Sequence, residues 1–161
     1  MKNVLITGAT GFIGHHVVNA NLEKGNHIRA LVLPDDAGIS RLKKQGVEVI
    51  NGDIRDYDAV RRAVGSVDII FHAAAIVTDW APQKLFWDVT VGGAENICKA
   101  AVDANVSRLV DISTCDVFGT DESVVMDETM PLQYWGEPYA DSKIDAEKVM
   151  RSRGIPLFTW D

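Results

Sequence analysis

Three side chains in the carboxyl-terminal third of the sequence have the types and spacing for proton transfer. Tyr139 and Lys143 stand four residues apart in Tyr139-Ala-Asp-Ser-Lys143, inside a segment with helical periodicity. At that spacing a phenol and an ammonium share one helix face. The cation favours phenolate, so the spacing predicts a tyrosine pKa lowered from about 10 toward working pH. Such a tyrosine takes a proton from an alcohol as hydride departs, or returns one to a carbonyl. Upstream, Asp111-Ile-Ser-Thr-Cys-Asp-Val-Phe-Gly119 sets the hydroxyls of Ser113 and Thr114 at the end of an apolar strand. Thr114 is the candidate to hold the same substrate oxygen. Tyr-x-x-x-Lys alone is a frequent coincidence on helices, and its meaning depends on what precedes it.

What precedes it is Val4-Leu-Ile-Thr-Gly-Ala-Thr-Gly-Phe-Ile-Gly14, an apolar run followed by Gly8, Gly11 and Gly14. A buried strand that turns into a helix through so bare a loop lets a pyrophosphate approach the main chain. The free N–H groups of the helix's first turn then point at its charge. The spacing is G-x-x-G-x-x-G rather than G-x-G-x-x-G, but the strand–turn–helix context of a dinucleotide site is present. A tight turn with close helix–strand packing and no ligand would use the same glycines.

The other strand ends carry fewer signals. Val32 and Leu33 end the second strand and Asp35-Asp36 follow, with no base placed for a ribose 2′-phosphate. This inclines the reading toward NAD over NADP, although the two aspartates suit a solvated loop equally well. Asp53, in Gly52-Asp53-Ile54-Arg55-Asp56, can accept from an adenine amino group or cap a helix, a task for which Asp56 is better placed. His72 reads as a packed histidine rather than a base. Ala73, Ala74 and Ala75 after it leave room for a flat, bulky cofactor.

These residues need a scaffold, and the pattern supplies one. Strands are predicted at 3–7, 27–33, 47–51, 67–73, 107–113 and 155–160, and helices at 12–24, 38–45, 56–64, 84–104 and 137–152. The strands are continuous apolar runs, as in a parallel sheet covered on both faces. Gly25-Asn26, Gly46, Gly65 and Gly154 punctuate the units. The expected fold is α/β, a doubly wound parallel sheet of Rossmann type, with ligands beyond the carboxyl ends of the strands.

At 161 residues and 47% hydrophobic, the chain can bury the core of one domain. A net charge of −7 without a basic block argues against nucleic-acid or anionic-membrane surfaces. No stretch approaches the ~18 apolar residues of a membrane span. The first strand follows Met1 too closely for a signal peptide, and Cys98 and Cys115 lack disulfide or metal spacing. No metal site is expected, and the expected compartment is the cytoplasm.

In this order the motifs resemble the extended short-chain dehydrogenase/reductase family of NAD-dependent epimerases and dehydratases. They are Thr7–Gly14, Gly52-Asp53, His72–Ala75, Gly93 with Asn96, Ser113-Thr114 with Val117-Phe118-Gly119, and Tyr139 with Lys143. Ile76-Val-Thr-Asp-Trp80 and its flanks are most similar to the 3β-hydroxysteroid dehydrogenase and dihydroflavonol reductase branch. The resemblance implies NAD or NADP as cofactor, held by Gly8, Thr10, Gly11, Phe12, Ile13 and Gly14 around the pyrophosphate. It implies Asp53 and Ile54 at adenine, and Ala73, Ala74, Ala75, Thr90, Tyr139 and Lys143 along the rest. Thr114, Tyr139 and Lys143 would be catalytic, and Lys143 would also bind the nicotinamide ribose. Thr90 stands where the family usually has Asn, and Leu33 where many NADP-using relatives have Arg. The family's carboxyl-terminal half supplies the substrate pocket, so residues 1–161 are expected to form a single NAD(P)-binding domain, truncated before the substrate domain. Three functions follow: an oxidoreductase, epimerase or dehydratase; a non-catalytic nicotinamide-binding module; or one chain of a split enzyme. Helices 84–104 and 137–152 are the expected face of a homodimer.

Overall fold

The computed structural model describes residues 1–78, 80–119 and 125–152, together with the backbone of 157–160. Asp79, Gly154 and the first residues of the predicted strand 155–160 lie outside the described residues.

Six parallel strands form one sheet: β1 (Asn3–Thr7), β2 (His27–Val32), β3 (Glu48–Asn51), β4 (Ile69–His72), β5 (Arg108–Ile112) and β6 (Leu157–Trp160). Their spatial order is β3-β2-β1-β4-β5-β6. The chain runs outward through β3, returns to the other side of β1 at β4, and so creates a crevice at the carboxyl ends of β1 and β4.

Helices cover both faces, which explains the unbroken apolar strands. Leu5, Leu31, Ile70 and Leu109 point to one face, where they meet Val60 of α3 (Tyr57–Val64) and Ile97 of α5 (Gly92–Asp103). Met150 of α6 (Pro138–Ser152) joins the same core. Val4, Ile6, Ile28 and Ala30 alternate to the other face and bury Val18 of α1 (Phe12–Glu23) and Leu42 of α2 (Ile39–Lys44). Asp56 caps α3 by accepting from Asp58 N–H at 2.9 Å.

The predicted helix 84–104 forms, running without a break from Gln83 to Asp103 but not as uniform α-helix. It divides into α4 (Gln83–Phe86), a π-helical turn at Trp87–Val91, and α5. A π turn inserts one extra residue and rotates the side chains that follow. Packing against the loop after β3 fixes that rotation. A Cβ at Gly93 would lie 2.5 Å from Ile54 Cδ1, so only glycine lets α5 approach. No helix among the described residues is long and apolar enough to cross a membrane.

Candidate functional site

The glycine turn forms as its sequence requires. Gly8 has φ +67°, and a Cβ there would lie 2.7 Å from the Ala73 carbonyl oxygen. At Gly14 a Cβ would fall 2.0 Å from Gly8 O, so the close approach of α1 to the turn admits no side chain. Gly11 differs, because a Cβ there meets only Gly8 O at 3.3 Å. The space in front of Gly11 is open, and α1 begins there without a side-chain cap or an acidic first turn. Phe12 and Ile13 are exposed, 83% and 48%, and leave the helix's first N–H groups accessible. This end suits a bound anion.

Thr10, in the turn, donates to Asp36 Oδ2 at 2.7 Å, and Gly38 N–H donates to Asp36 Oδ1 at 2.7 Å. Arg41 Nη2 reaches the Thr10 carbonyl at 3.1 Å. Asp36 is therefore built into the glycine turn, whereas Asp35 is exposed. Across the crevice, Ala73, Ala74 and Ala75 are partly buried beside Gly8. Beyond β3, Asp53 grips Arg55, with Nη2–Oδ2 at 2.6 Å, and the guanidinium holds its carboxyl below the ordinary value. Asn96 Nδ2 donates to the Ile54 carbonyl at 2.9 Å and fixes this loop. Thr90 lies in the π turn, fully buried, and its Oγ1 has no hydrogen-bond partner.

Thr114 follows β5 and caps a 3-10 turn at Cys115–Phe118. Its hydroxyl donates to Asp116 Oδ2 at 3.0 Å. Tyr139 and Lys143 lie on the first turns of α6. The structure departs here from the expectation that Lys143 lowers the tyrosine pKa. Burial pushes the phenol above its ordinary value and Asp116 adds to the shift, while the Thr114 hydroxyl pulls the other way. Lys143 is turned inward instead: its Nζ donates to the Ile112 carbonyl at 2.5 Å and lies 3.8 Å from Asp111 Oδ2.

His72 is buried, and its Nδ1 shares a 2.8 Å hydrogen bond with Thr7 Oγ1. Burial, and secondarily the charge of Lys143, bring its pKa down to about 3. It is a packed neutral histidine, as the sequence suggested. Ser113 donates to the buried carboxylate of Glu147, which Arg151 Nη2 also reaches at 2.8 Å. The structure thus gathers Gly8–Gly14, Ala73–Ala75, Thr114, Tyr139 and Lys143 at the carboxyl edge of one sheet. It adds Asp111 and Glu147, to which the sequence gave no role in the site, and it ties Asp36 to Thr10 and Gly38. The signal for Asp111 was a charge between Val110 and Ile112 in an apolar strand; Glu147, among Asp145, Lys148 and Arg151, carried none. No group of three His, Cys, Asp or Glu side chains placed to hold a metal occurs among the described residues.

The family model for the NAD dependent epimerase/dehydratase family matches residues 4–154. A 3β-hydroxysteroid dehydrogenase/Δ5→4-isomerase of Mycobacterium tuberculosis is 35% identical over 96% of this chain and 44% of its own length. A UDP-glucose 4-epimerase of Neisseria meningitidis is 33% identical over 93% of this chain and 48% of its own. Among solved structures, Bordetella bronchiseptica WbmH in complex with NAD+ superposes with a TM-score of 0.86 at 25% identity, covering 99% of this chain and 55% of that one. The NAD complex of Thermus thermophilus UDP-glucose 4-epimerase gives 0.85 at 28%, covering 98% and 53%. The chain spans about half the length of the relatives it matches, 44% and 48% of the two named.

Proposed function

The chain belongs to the NAD-dependent epimerase/dehydratase family, and from that premise we propose that residues 1–161 are its dinucleotide-binding domain. We infer that it serves hydride transfer between a nicotinamide and a secondary alcohol or carbonyl. One observation supports the reading: an uncapped glycine turn follows the carboxyl end of β1, and Lys143, four residues after Tyr139, bonds the Ile112 carbonyl at the carboxyl end of β5 in the same sheet. The residues fit the cofactor, since a side chain at Gly11 would fill space that nothing else occupies.

When bound, the nicotinamide supplies the hydride acceptor or donor; the protein supplies position and proton. Gly8 to Gly14 offer bare backbone and free N–H groups to the pyrophosphate, and Ala73 to Ala75 leave the centre of the sheet open. Tyr139 is the acid/base, with Thr114 able to share the substrate oxygen once it leaves Asp116. Lys143 brings the positive charge that a phenolate needs. Asp36, held by Thr10 and Gly38, presents a carboxylate where a 2′-phosphate would be repelled, which favours NAD over NADP. Specificity for a substrate belongs, on this reading, to the carboxyl-terminal half that the relatives carry beyond the matched region. The faces of α4, α5 and α6 are proposed to pair two copies, and a monomer in sedimentation at tens of micromolar would reject that.

Calorimetric titration with NAD and with NADP tests the cofactor reading. Binding should raise the melting temperature, with ligand at 100 times its Kd adding about 2.7 kcal/mol. Absence of heat and of thermal shift with either nucleotide at millimolar concentration would overturn it.

A further inference from the structure

Asp111 is 1% exposed on β5, between β4 and β6, and neither of its carboxylate oxygens has a partner at ordinary hydrogen-bond distance. A buried carboxylate so placed is costly unless a charge stands against it. Lys143 is that charge: its side chain is 4% exposed and its Nζ lies 3.8 Å from Asp111 Oδ2, too far for a hydrogen bond. Of the three protons an ammonium carries, the structure commits one, to the Ile112 carbonyl. The lysine is therefore held from below by charge and backbone rather than locked by a close carboxylate pair.

We propose that Asp111 is a positioning residue for Lys143: its buried carboxylate keeps the ammonium on the floor of the site and offsets the charge that would otherwise act on Tyr139. The inference rests on reading Tyr139 and Lys143 as the proton-transferring pair. Nucleotide binding then has a specific task, to draw the ammonium off Asp111 and toward the phenol. This gives the site a resting setting and a working one.

The groups around the pair agree. His72 of β4 is in register with Asp111, and its imidazole, brought down to about 3, contributes no charge near neutrality. Lys143 faces Asp111 from α6, and Thr159 is its register partner on β6. Burial pushes the Asp111 carboxyl up while Lys143 draws it back. Around the phenol stand Asp116 and Cys115 from the 3-10 turn and Glu137 before α6, all of which raise its pKa. Burial is the larger cause of that upward shift, and the Thr114 hydroxyl opposes it.

The test is a titration of Tyr139 in the unliganded protein, read from the ring 13Cζ resonance of labelled tyrosine and assigned with Tyr139→Phe. In Asp111→Asn the midpoint should fall by about one pH unit or more. The fall should vanish when Lys143→Met is added. An unchanged or raised midpoint overturns the proposal, as does a fall that persists without Lys143. Should Asp111→Asn not fold, the wild-type protein decides through the Asp111 13Cγ resonance. That signal should be a carboxylate's at neutral pH and should move on saturation with NAD, although the ligand cannot touch it. A protonated carboxyl at neutral pH, or a resonance indifferent to bound NAD, overturns the proposal. If NAD does not bind at all, the cofactor reading fails alone, and the ligand-free titration still decides this one.

Discussion

Thr7 Oγ1 and His72 Nδ1 stand 2.8 Å apart across the seam between β1 and β4, where the strand order reverses. The same hydroxyl accepts from Ala74 N–H at 3.2 Å. One threonine thus joins the ends of the two strands whose loops form the glycine turn and the alanine turn. It reinforces the backbone pairing of β1 with β4, which continues to the Thr7 carbonyl and Ala73 N–H at 3.3 Å.

His72 makes the contact titratable. Its folded pKa of about 3 lies below the ~6.5 of an unfolded histidine. Between these values the unfolded chain binds the extra proton, so this contribution to stability is lost as pH falls from about 6.5 toward 3, by up to about 1.4 kcal/mol per unit. Asp111 acts in the opposite sense: its raised carboxyl pKa stabilises at low pH and loses that stabilisation as pH rises through the folded value. Urea unfolding across this range, compared between wild type and His72→Asn, isolates the histidine. Parallel curves for the two proteins would show that His72 does not control acid stability.

Thr90 offers a second test, because its Oγ1 is buried without a partner. An unsatisfied hydroxyl costs roughly 1–3 kcal/mol, and a methyl of the same shape costs nothing comparable. Thr90→Val should therefore leave the unliganded protein as stable or up to about 1 kcal/mol more stable in urea. It should also weaken NAD binding, since the hydroxyl's remaining use is toward a ligand. A loss of stability would mean that Thr90 has a structural partner after all.

Much of the arrangement was legible in the residues. Continuous apolar strands gave the parallel sheet because two-sided burial removes alternation, and Gly8 and Gly14 marked the turn because only glycine tolerates their backbone contacts. The π turn at Trp87–Val91 was not legible: one inserted residue changes the phase of a helix without changing its composition. The inward turn of Lys143 was equally hidden. Spacing places Tyr139 and Lys143 on one face of α6, but the Ile112 carbonyl and the buried Asp111, both from β5, decide where the ammonium rests.

The three glycines do different work, and substitution separates them. Gly14→Ala puts a methyl into the Gly8 backbone and should destabilise by about 1–3 kcal/mol or more. Gly11→Val meets only the Gly8 carbonyl oxygen, 3.3 Å from its Cβ, and should cost less than Gly14→Ala, about 1 kcal/mol. It should nevertheless abolish the thermal shift with NAD, because the valine occupies the place of the pyrophosphate. A full shift in Gly11→Val would move the ligand away from this turn.

Asp36 should govern the choice of nucleotide. Asp36→Asn keeps an oxygen to accept from Gly38 N–H, and its amide NH2 can donate to the Thr10 hydroxyl, so the turn should survive without the negative charge. Affinity for NADP should then rise relative to NAD by up to about tenfold, equivalent to 1.4 kcal/mol. Calorimetry with both nucleotides on both proteins measures the ratio. If it does not change, Asp36 is a structural tie for Thr10 and Gly38 and discrimination lies elsewhere.

Tyr139→Phe tests the chemistry itself. The substitution removes one oxygen from a half-buried ring, so the fold should persist. Nucleotide affinity should stay within about twofold, since no pyrophosphate-binding group is touched. Hydride transfer requires a bound substrate, and orientation alone is worth about 7–11 kcal/mol. The assay therefore joins this chain to the carboxyl-terminal half of a relative and follows reduction of the nicotinamide by its absorbance. A positioned acid/base is worth about 10²–10⁴-fold, and Tyr139→Phe should lose that much in kcat. Because the base is phenolate, the kcat of the intact protein should rise with pH in the alcohol-oxidising direction, with a midpoint set by the phenol in the ternary complex. Turnover undiminished in Tyr139→Phe would assign the proton to another group, and a pH profile unchanged by the substitution would do the same.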